Sequence, residues 1–557
     1  MRSRSLRTLL SVGRHATRPQ CDRCLASGAR LSSTSTRQWS TPLAKSLAEA
    51  ITTTGPIPLA AYMRQCLTSP DGGYYTSRTE GRDQFGQKGD FVTSPEISQM
   101  FGELIGVCIV AEWMAQGRNS AGVYIMEVGP GRGTLMDDML RTIRNFKPLA
   151  SAIEAIYLVE ASPSLRQAQH ELLCGDAPLK ETDIGFQSTS KYTPDLKIIW
   201  CEDVRFVPKD PSKTPFIIAH EFFDALPIHV FQSVAPSPHA STSPSQILTP
   251  TGPISNPARQ QQSQQQGNQW RELLVSPTAP PSTITTSSSK SSSTTGGSKP
   301  EFELTLAKAA TPHSLYLPET SDRYKALKGT EGATIEISPE ALSYAADFAV
   351  RIGGSASQTP SSSSSTSPTQ PASTYRNRAP TPVAFPKPAP SGAALILDYG
   401  PTATIPTNSL RGIRAHAAVS PFAAPGAVDL SADVDFIALA LAALDASPAV
   451  EVHGPAEQAA WLAGMGIGER AAQLVKRALE RERGIAVGGE GERGKDGAKG
   501  DLTETVKRIE TGWKRLVDRG PNGMGRLYKV MAIVPYAPLE KGKPRRRPVG
   551  FGGDVAV

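Results

Sequence analysis

Short apolar runs alternate with amphipathic stretches in the region from residue 122 to residue 232. The apolar runs are five or six residues long and lie at 123–128, 155–159, 196–201 and 215–219. Runs of this length without polar alternation are typical of strands that are buried on both faces of a parallel sheet. The stretch from Leu135 to Ile143 instead carries apolar residues at helical spacing. The pattern therefore predicts βαβ units and a Rossmann-like α/β core.

The rest of the chain divides by composition. Tracts rich in Ser, Thr, Pro and Gln cannot bury enough apolar surface to fold, and they separate segments with periodic apolar positions. Because long surface loops add little to the free energy of chain closure, we predict one globular fold that is interrupted twice. The predicted divisions are a transit peptide (1–40), an N-terminal helical and cofactor-lid region (41–121), the first part of the core (122–232), a low-complexity insertion (233–300), a substrate-side α+β segment (301–352), a low-complexity linker (353–391), the second part of the core with a C-terminal strand (392–540) and a tail (541–557).

The positive charge of the chain is confined to its N-terminus. Lys and Arg number 59 against 52 Asp and Glu, but the first 40 residues hold eight Arg and only one acid, Asp22. The remaining residues balance to zero, so no basic face for nucleic acid is predicted. An Arg- and Ser-rich, acid-poor start without a long apolar run is typical of a mitochondrial transit peptide, with a matrix processing site near Arg37–Ser40. The alternative is a basic tail without a targeting role.

Neither the cysteines nor the apolar stretches indicate a metal site or a membrane span. Cys21 and Cys24 form a CxxC without a second pair, and the other four cysteines have no metal or disulfide spacing. The most apolar stretch, 101–115, is too short to cross a bilayer and carries two glutamates. We therefore predict a chain without a metal ion and without a membrane-spanning segment.

A glycine-rich turn directly follows the first predicted strand. Glu127 is the last acid of that strand, and Gly129, Gly131 and Gly133 follow before the helix begins. Glycines let the backbone approach a ligand closely at a helix N-terminus. The turn lacks the GK[ST] of a phosphate-binding loop, and its GxGxG spacing differs from the GxGxxG of dinucleotide folds. A carboxylate at Glu127 suits a ligand that carries a cationic ammonium.

Acids also end the next two strands. Glu160 ends the second strand, where a carboxylate accepts hydrogen bonds from ribose hydroxyls. Glu202 and Asp203 follow the third strand, and Asp203 is the candidate acceptor for an adenine amino group. Together with the glycine turn, these acids predict S-adenosyl-L-methionine bound to a class I methyltransferase fold. NAD binding and a purely structural α/β domain remain the alternatives.

Several longer motifs resemble the MidA family of mitochondrial complex I assembly methyltransferases. The segments that carry the resemblance are 55–58, 62–63, 73–75, 89–98, 101–103, 127–135, 220–227, 270–272, 397–400, 429–436 and 465–467. The resemblance implies S-adenosyl-L-methionine-dependent methylation of protein arginine, with symmetric dimethylarginine as the product. The implied substrate is a core subunit of the peripheral arm of complex I in the mitochondrial matrix. The two low-complexity segments depart from the usual family pattern.

The fourth strand runs into the acceptor side of this predicted site. Glu221 and Asp224 flank a turn at the place where the transferred methyl group is expected, so we predict that they bind the substrate guanidinium and are the catalytic residues. Thr93, Ser94, Pro95 and Glu96 are predicted to fold over the cofactor. The alternative for this segment is a helix start, with Ser94 as the N-cap and Pro95 at the first helical position.

Three further features have less specific interpretations. Asp398 follows a predicted strand and is a further crevice candidate. Asp429, Asp433 and Asp435 favour a loop and a helix cap over a metal cluster, because the other ligands of a Ca²⁺ loop are missing. The amphipathic helix predicted around Trp461 offers a substrate or homodimer face, with core packing as the alternative.

Three other functions remain open at this stage. A complex I assembly chaperone with a methyltransferase fold would share every motif outside the acceptor pocket. The GxGxG spacing argues against an NAD(P)-linked oxidoreductase. Methylation of a small molecule is compatible with the neutral charge of residues 41–557.

Overall fold

The computed structural model describes most of the chain outside its N-terminus and its low-complexity tracts. The described residues are 37–76, 90, 92–236, 246–249, 252–255, 267–279, 300–355, 384–487, 495–521, 523–538 and 545–552. The predicted transit peptide, up to residue 36, lies outside the described residues, as do most of the two predicted low-complexity segments.

Helices and strands alternate through the first half of the described chain. In chain order they are α1 (Pro42–Thr54), β1 (Ile57–Pro58), α2 (Leu59–Thr68), α3 (Ser94–Ile97), α4 (Gln99–Ala115), β2 (Val123–Val128), α5 (Thr134–Ile143), α6 (Lys147–Ala152), β3 (Ile153–Val159), α7 (Pro163–Cys174), β4 (Lys180–Thr182), β5 (Gly185–Thr189), β6 (Lys197–Cys201), β7 (Thr214–His220) and β8 (His229–Val234). A short 3₁₀ turn, Val204–Phe206, lies between β6 and β7.

The second half continues with strands and longer helices. These are β9 (Gln246–Thr249), β10 (Gly252–Ser255), β11 (Gln269–Pro277), β12 (Phe302–Leu306), α8 (Pro312–Tyr316), α9 (Asp322–Leu327), β13 (Thr334–Ile337), α10 (Pro339–Gly353), β14 (Ala393–Tyr399), β15 (Arg411–Arg414), β16 (Ala417–Val419), β17 (Asp429–Ser431), α11 (Phe436–Ala446), β18 (Val450–Glu457), α12 (Gln458–Gly464), α13 (Ile467–Val487), α14 (Lys495–Val517) and β19 (Tyr528–Pro535). A second 3₁₀ turn, Leu317–Glu319, follows α8.

A mixed nine-stranded sheet forms the scaffold, in the order β18-β19-β14-β7-β2-β3-β6-β5-β4. Strands β6, β3, β2, β7 and β14 are parallel, whereas β19 is antiparallel to both of its neighbours. The chain builds outward from β2 on one side through β3 and β6, and on the other side through β7 and β14. The direction of winding therefore switches beside β2, and in such sheets ligands bind beyond the carboxyl ends of the strands at the switch.

Helices cover both faces of this sheet, as its apolar strands require. All six residues of β2 are buried because the strand lies in the middle of the sheet with helices above and below. On one face α4 and α5 pack closely, and a Cβ at Gly102 would lie 2.5 Å from the Cβ of Asp138. On the other face α10 and α11 contribute Phe348 and Phe436 to a second apolar core. The predicted α/β layers are thus present.

A smaller antiparallel sheet has the order β1-β11-β8-β13, with β12 beside β11. Its strand β8 follows β7 along the chain after a short connection. Helices α1 and α2 pack on it through an apolar cluster that includes Tyr62 and Phe302. Helix α1 begins where Thr41 Oγ1 accepts the Ala44 N–H at 3.0 Å, and it ends at Gly55 with φ +92°. Within 41–121, the described residues thus form the helices α1 to α4.

Two local expectations are corrected. Ser94 does not cap a helix that runs through Gly106, because Thr93 occupies the N-cap position and the helix breaks at Ser98, which caps α4. The helix at Trp461 is present as α12, but Trp461 and Leu462 are fully buried in the main core, so this face is not open to a substrate or a second chain. Within the described ranges, no helix has both the length and the apolarity that a bilayer crossing needs.

Candidate active site

A cavity of about 390 Å³ opens at the carboxyl ends of the central strands, beside the switch point. Nine of the twelve predicted site residues line it: Thr93, Pro95, Glu96, Glu127, Gly129, Gly131, Glu160, Glu221 and Asp224. The segments that supply them come from before β2 and from the ends of β2, β3 and β7. The cavity therefore exists only because the sheet brings these strand ends to one edge.

The glycine turn forms one wall of the cavity. Gly129, Gly131 and Gly133 all have positive φ, at +65°, +52° and +84°. A Cβ at Gly129 would lie 2.6 Å from Cδ2 of Phe222, so only glycine fits against that ring. Gly133 does not line the cavity, and instead it is the left-handed N-cap residue of α5. The turn thus brings bare backbone to the cavity, as its sequence predicted.

Glu127 and Glu160 lie side by side at the ends of β2 and β3. Glu127 is 2% exposed, and its Oε2 has no hydrogen-bond partner among the described residues. Burial, with a further contribution from the charge of Glu160, raises the pKa of Glu127 to about 8. Burial likewise raises the pKa of Glu160 to about 7, although hydrogen bonds from Ser162 and Gln169 oppose the shift. A dry carboxylate with an unused oxygen is complementary to a cation.

Gln169 is a site residue that the sequence analysis missed. Its amide Nε2 donates to the Gly131 carbonyl at 2.6 Å and to Glu160 Oε2 at 3.1 Å, and its Oε1 accepts from the Trp200 indole at 2.9 Å. One buried side chain therefore joins the glycine turn to the acid of the second strand. A signal was present, because Gln169 lies four residues after Leu165 and four before Leu173 on the buried stripe of α7.

Acidic side chains gather at the other end of the cavity. We call Glu221, Asp224, Asp398 and Asp429 the acidic cluster; all four are buried or nearly so. Burial is the first cause that raises the pKa of each, and the charge of a neighbouring cluster member is the next cause for Glu221, Asp398 and Asp429. For Asp224, a hydrogen bond from the Tyr399 hydroxyl at 2.5 Å opposes the increase. Four carboxyl groups in so little water favour a positively charged occupant.

Asp398 holds the turn that carries Glu221 and Asp224. Its Oδ2 accepts the backbone N–H groups of Phe222, Phe223 and Asp224 at 3.1, 2.9 and 3.3 Å. The turn contains a strained residue, since Glu221 has φ +49° without being glycine. Asp398 therefore acts on the site through this turn rather than through the cavity, which it does not line.

Two carboxylate oxygens of this turn are buried and have no hydrogen-bond partners among the described residues. They are Oε1 of Glu221 and Oδ1 of Asp224. Nε2 of His220 lies 3.3 Å from Oε1 of Glu221. Burial lowers the pKa of His220 to about 3, so the ring is neutral at neutral pH and this contact is not an ion pair.

Phe222 also lines the cavity, whereas Phe223 is 3% exposed and belongs to the apolar core. Three tyrosines that sequence reasoning missed, Tyr75, Tyr399 and Tyr528, complete this end.

The remaining predicted residues lie beside the cavity rather than in it. Ser94 is fully buried, and its Oγ has no hydrogen-bond partner among the described residues. Asp203 caps the 3₁₀ turn after β6 and pairs with the Arg205 guanidinium at 2.8 Å, which lowers the pKa of Asp203. The preceding residue, Glu202, lines the cavity instead. The structure therefore does not bring Asp203 into the site.

Comparison with known proteins adds the family. The model of an S-adenosyl-L-methionine-dependent methyltransferase family matches residues 104–456. The chain belongs to this family. Its relatives include the mitochondrial protein arginine methyltransferase NDUFAF7 of Rattus norvegicus, which is 32% identical over 510 residues (90% of this chain and 86% of the rat protein). The Homo sapiens NDUFAF7 is 29% identical over 514 residues, covering 91% of this chain and 86% of the human protein.

A solved structure shares the fold. A bacterial protein from Burkholderia thailandensis, crystallised with S-adenosyl-homocysteine, aligns with a TM-score of 0.52 and 19% identity. The alignment covers 88% of this chain and 91% of that protein. The prediction of a class I methyltransferase fold is thus confirmed, and so is the cofactor, S-adenosyl-L-methionine. The relatives are also named as mitochondrial, in agreement with the predicted transit peptide.

The residues of the cavity fit this cofactor. The molecule carries a cationic ammonium, a sulfonium and a ribose with two hydroxyl donors. The cavity offers the unpaired buried oxygen of Glu127, the carboxylate of Glu160 and a wall of bare backbone at Gly129 and Gly131. Donors and acceptors are therefore matched in type and in charge.

Proposed function

We propose that this methyltransferase transfers methyl groups to arginine side chains of a core peripheral-arm subunit of complex I, in the mitochondrial matrix. We further propose that it is a type II enzyme whose product is symmetric dimethylarginine, and that it is required for complex I assembly. The observation that carries the arginine proposal is the acidic cluster, which adjoins the predicted cofactor half of one cavity. The names of the relatives support a protein substrate in mitochondria.

The cofactor half of the proposal assigns each predicted group. Glu127 binds the ammonium and Glu160 accepts from the ribose hydroxyls, while Gly129 to Gly133 form the wall. Glu202 takes the adenine-side position that the sequence analysis gave to Asp203. Thr93 to Glu96 close the cavity, and Glu96 Oε2 stiffens this segment by accepting the Thr93 N–H at 3.2 Å.

In the acceptor half of the cavity, Glu221 and Asp224 align the guanidinium and take its proton. The bound cofactor supplies a methyl group on a sulfonium, which needs no further activation. Glu221 and Asp224 each have one free oxygen, so together they can hold a guanidinium by two charge-assisted hydrogen bonds and keep the attacking nitrogen in place. Burial raises the pKa of Glu221, and a bound guanidinium cation would favour the ionised carboxylate, which can then accept the proton that the guanidinium must lose.

Glu221→Gln and Asp224→Asn test this assignment. We expect either change to abolish methylation of the purified complex I subunit while S-adenosyl-homocysteine still binds, because the cofactor contacts stay in place. Mass spectrometry of the subunit measures the arginine product, and calorimetry measures cofactor binding. Glu319→Gln, an exposed carboxylate paired with Lys328, is the matched control. Unchanged arginine methylation in the Glu221→Gln, Asp224→Asn double variant would refute the acceptor site.

A second experiment separates the enzyme from an assembly chaperone. Gly131→Val and Glu160→Gln are expected to prevent cofactor binding, and cells that carry only these variants should fail to complete complex I. If complex I assembles normally although the folded variant binds no cofactor, the chaperone function is correct and the enzymatic one is wrong. Methylation that appears only on small molecules in the same cells would refute the protein substrate.

A further inference from the structure

A cluster of metal-binding side chains lies on the smaller sheet, outside the cofactor cavity. His229 is the first residue of β8, Glu272 lies on β11, and His313 lies in α8. One ligand atom from each side chain lies within 4.8 Å of the other two. His229 and Glu272 are buried, whereas the side chain of His313 is 46% exposed. None of the three lines the cavity described above.

The pairing of β8 with β11 brings the first two ligands together. Glu272 pairs with Phe231, and side chains two residues apart on a strand lie on the same face, so His229 is the diagonal neighbour of Glu272. Nδ1 of His229 lies 2.7 Å from Oε1 of Glu272, and Nδ1 of His313 lies 3.5 Å from Oε2. The two imidazole rings are 4.3 Å apart between centroids. Both nitrogens thus face the same carboxylate.

We propose that His229, Glu272 and His313 bind one divalent transition-metal ion of the zinc class. Two imidazoles and one carboxylate form a three-ligand donor set that Zn²⁺ accepts, and the exposed side of His313 leaves a fourth position for water. Ligand atoms at about 2.0–2.2 Å from a tetrahedral ion lie about 3.3 Å apart. Nδ1 of His313 already lies at about that distance from Oε2 of Glu272, whereas Nδ1 of His229 contacts the other oxygen, Oε1, at 2.7 Å. The carboxylate must therefore turn for one of its oxygens to share an ion with both imidazoles.

Two features around the cluster suit such a site. Thr311 Oγ1 donates to Oε2 of Glu272, an outer contact of the kind that orients a carboxylate ligand. The side chain of Glu272 is fully buried, so water does not screen its negative charge. That charge would therefore attract a divalent cation strongly. The ion would join β8, β11 and α8, three elements that are far apart along the chain. It therefore acts as a structural cross-link in the smaller sheet, separate from methyl transfer.

Zinc binding by the full chain tests this proposal. The protein is purified without a histidine tag, stripped with a chelator and titrated with Zn²⁺ by calorimetry; thermal unfolding is followed with and without Zn²⁺. The protein carries Cys21→Ser and Cys24→Ser, so that the two thiols of the N-terminal CxxC cannot bind added Zn²⁺. We expect one Zn²⁺ per chain and a higher unfolding temperature in its presence.

His313→Gln is the decisive variant, because an exposed side chain can be changed without unfolding the sheet. It should weaken Zn²⁺ binding at least about tenfold and remove the thermal shift, since even the loss of an outer-shell partner has an effect of that size. His453→Gln is the matched control: His453 also contacts a single buried glutamate, Glu451, at 2.9 Å. Absence of Zn²⁺ binding by the wild-type chain, or equal binding by His313→Gln, shows that the cluster is only a hydrogen-bonded structural group and overturns the proposal.

Discussion

The pH dependence of cofactor binding follows from the burial of Glu127. In the ligand-free chain the pKa of this carboxyl is about 8, so at pH 7 only about one molecule in ten is ionised. The ammonium of the ligand favours the ionised form and lowers the pKa on binding. Binding at pH 7 therefore releases a proton, and the affinity must increase as the pH increases.

The size of the effect can be worked out from the pKa in the bound state. If the ammonium lowers the pKa of Glu127 by one unit, the association constant increases about fivefold between pH 6 and pH 8. If the pKa falls by three units, the increase is about 45-fold. Glu127→Gln removes this titrating group, so its affinity should change less between pH 6 and pH 8 than that of the wild type, with the remaining change due to Glu160, and it should be about tenfold or more below wild type at pH 8.

Calorimetry with S-adenosyl-homocysteine, which keeps the ammonium and the ribose, is the assay. Titrations at pH 6, 7 and 8 give the affinity, and a comparison of buffers with different ionisation enthalpies gives the number of protons released. Glu154→Gln, an exposed carboxylate at the start of β3 with its pKa lowered by Lys213, is the control. A change of less than twofold between pH 6 and pH 8 in the wild type, or the same profile in Glu127→Gln, would refute the reasoning.

Three further predictions concern the backbone and the core. Asp398→Asn should lower turnover at least about tenfold while cofactor affinity changes less than threefold, as steady-state kinetics and calorimetry would show, because the catalytic turn loses its anchor. Gly129→Ala should prevent cofactor binding because its Cβ meets an aromatic ring at 2.6 Å, whereas Gly117→Ala, which is also at positive φ but in open space, should bind normally in the same titration. Arg351→Met should lower the free energy of unfolding in urea by about 3 kcal/mol, because the buried guanidinium donates to three carbonyls of the loop after β6. As the control, Lys45→Met at an exposed position should lower it by less than about 0.5 kcal/mol.

Much of the fold could be predicted because it depends on local patterns. The unbroken apolar runs indicated strands buried on both faces, and the structure has strands at all four places, with bounds that differ by at most two residues. The glycine turn was also predictable, because three alternate glycines between a strand and a helix indicate backbone with positive φ that can approach a ligand closely. The N-cap of α3 was less predictable, because Thr93 and Ser94 are adjacent and either can take that position, and the register of the helix decides between them.

The sequence also did not show which of two adjacent acids reaches the cavity, for a related reason. Glu202 and Asp203 are neighbours after β6, so their side chains point in different directions, and the sequence alone does not give the direction of each. In the structure Arg205 satisfies Asp203 locally, which leaves Glu202 at the cavity.

The sequence by itself determined the order of the core strands and helices, the glycine turn and the acids at the strand ends. These features are local, because each depends on a few neighbouring residues and on the period of the apolar positions. Only the tertiary structure decided which distant groups meet: Asp398 beside the turn of Glu221 and Asp224, Gln169 between Gly131 and Glu160, and His313 beside Glu272. Such contacts depend on how the sheets pair and how the helices pack across long stretches of chain, and no local pattern carries that information.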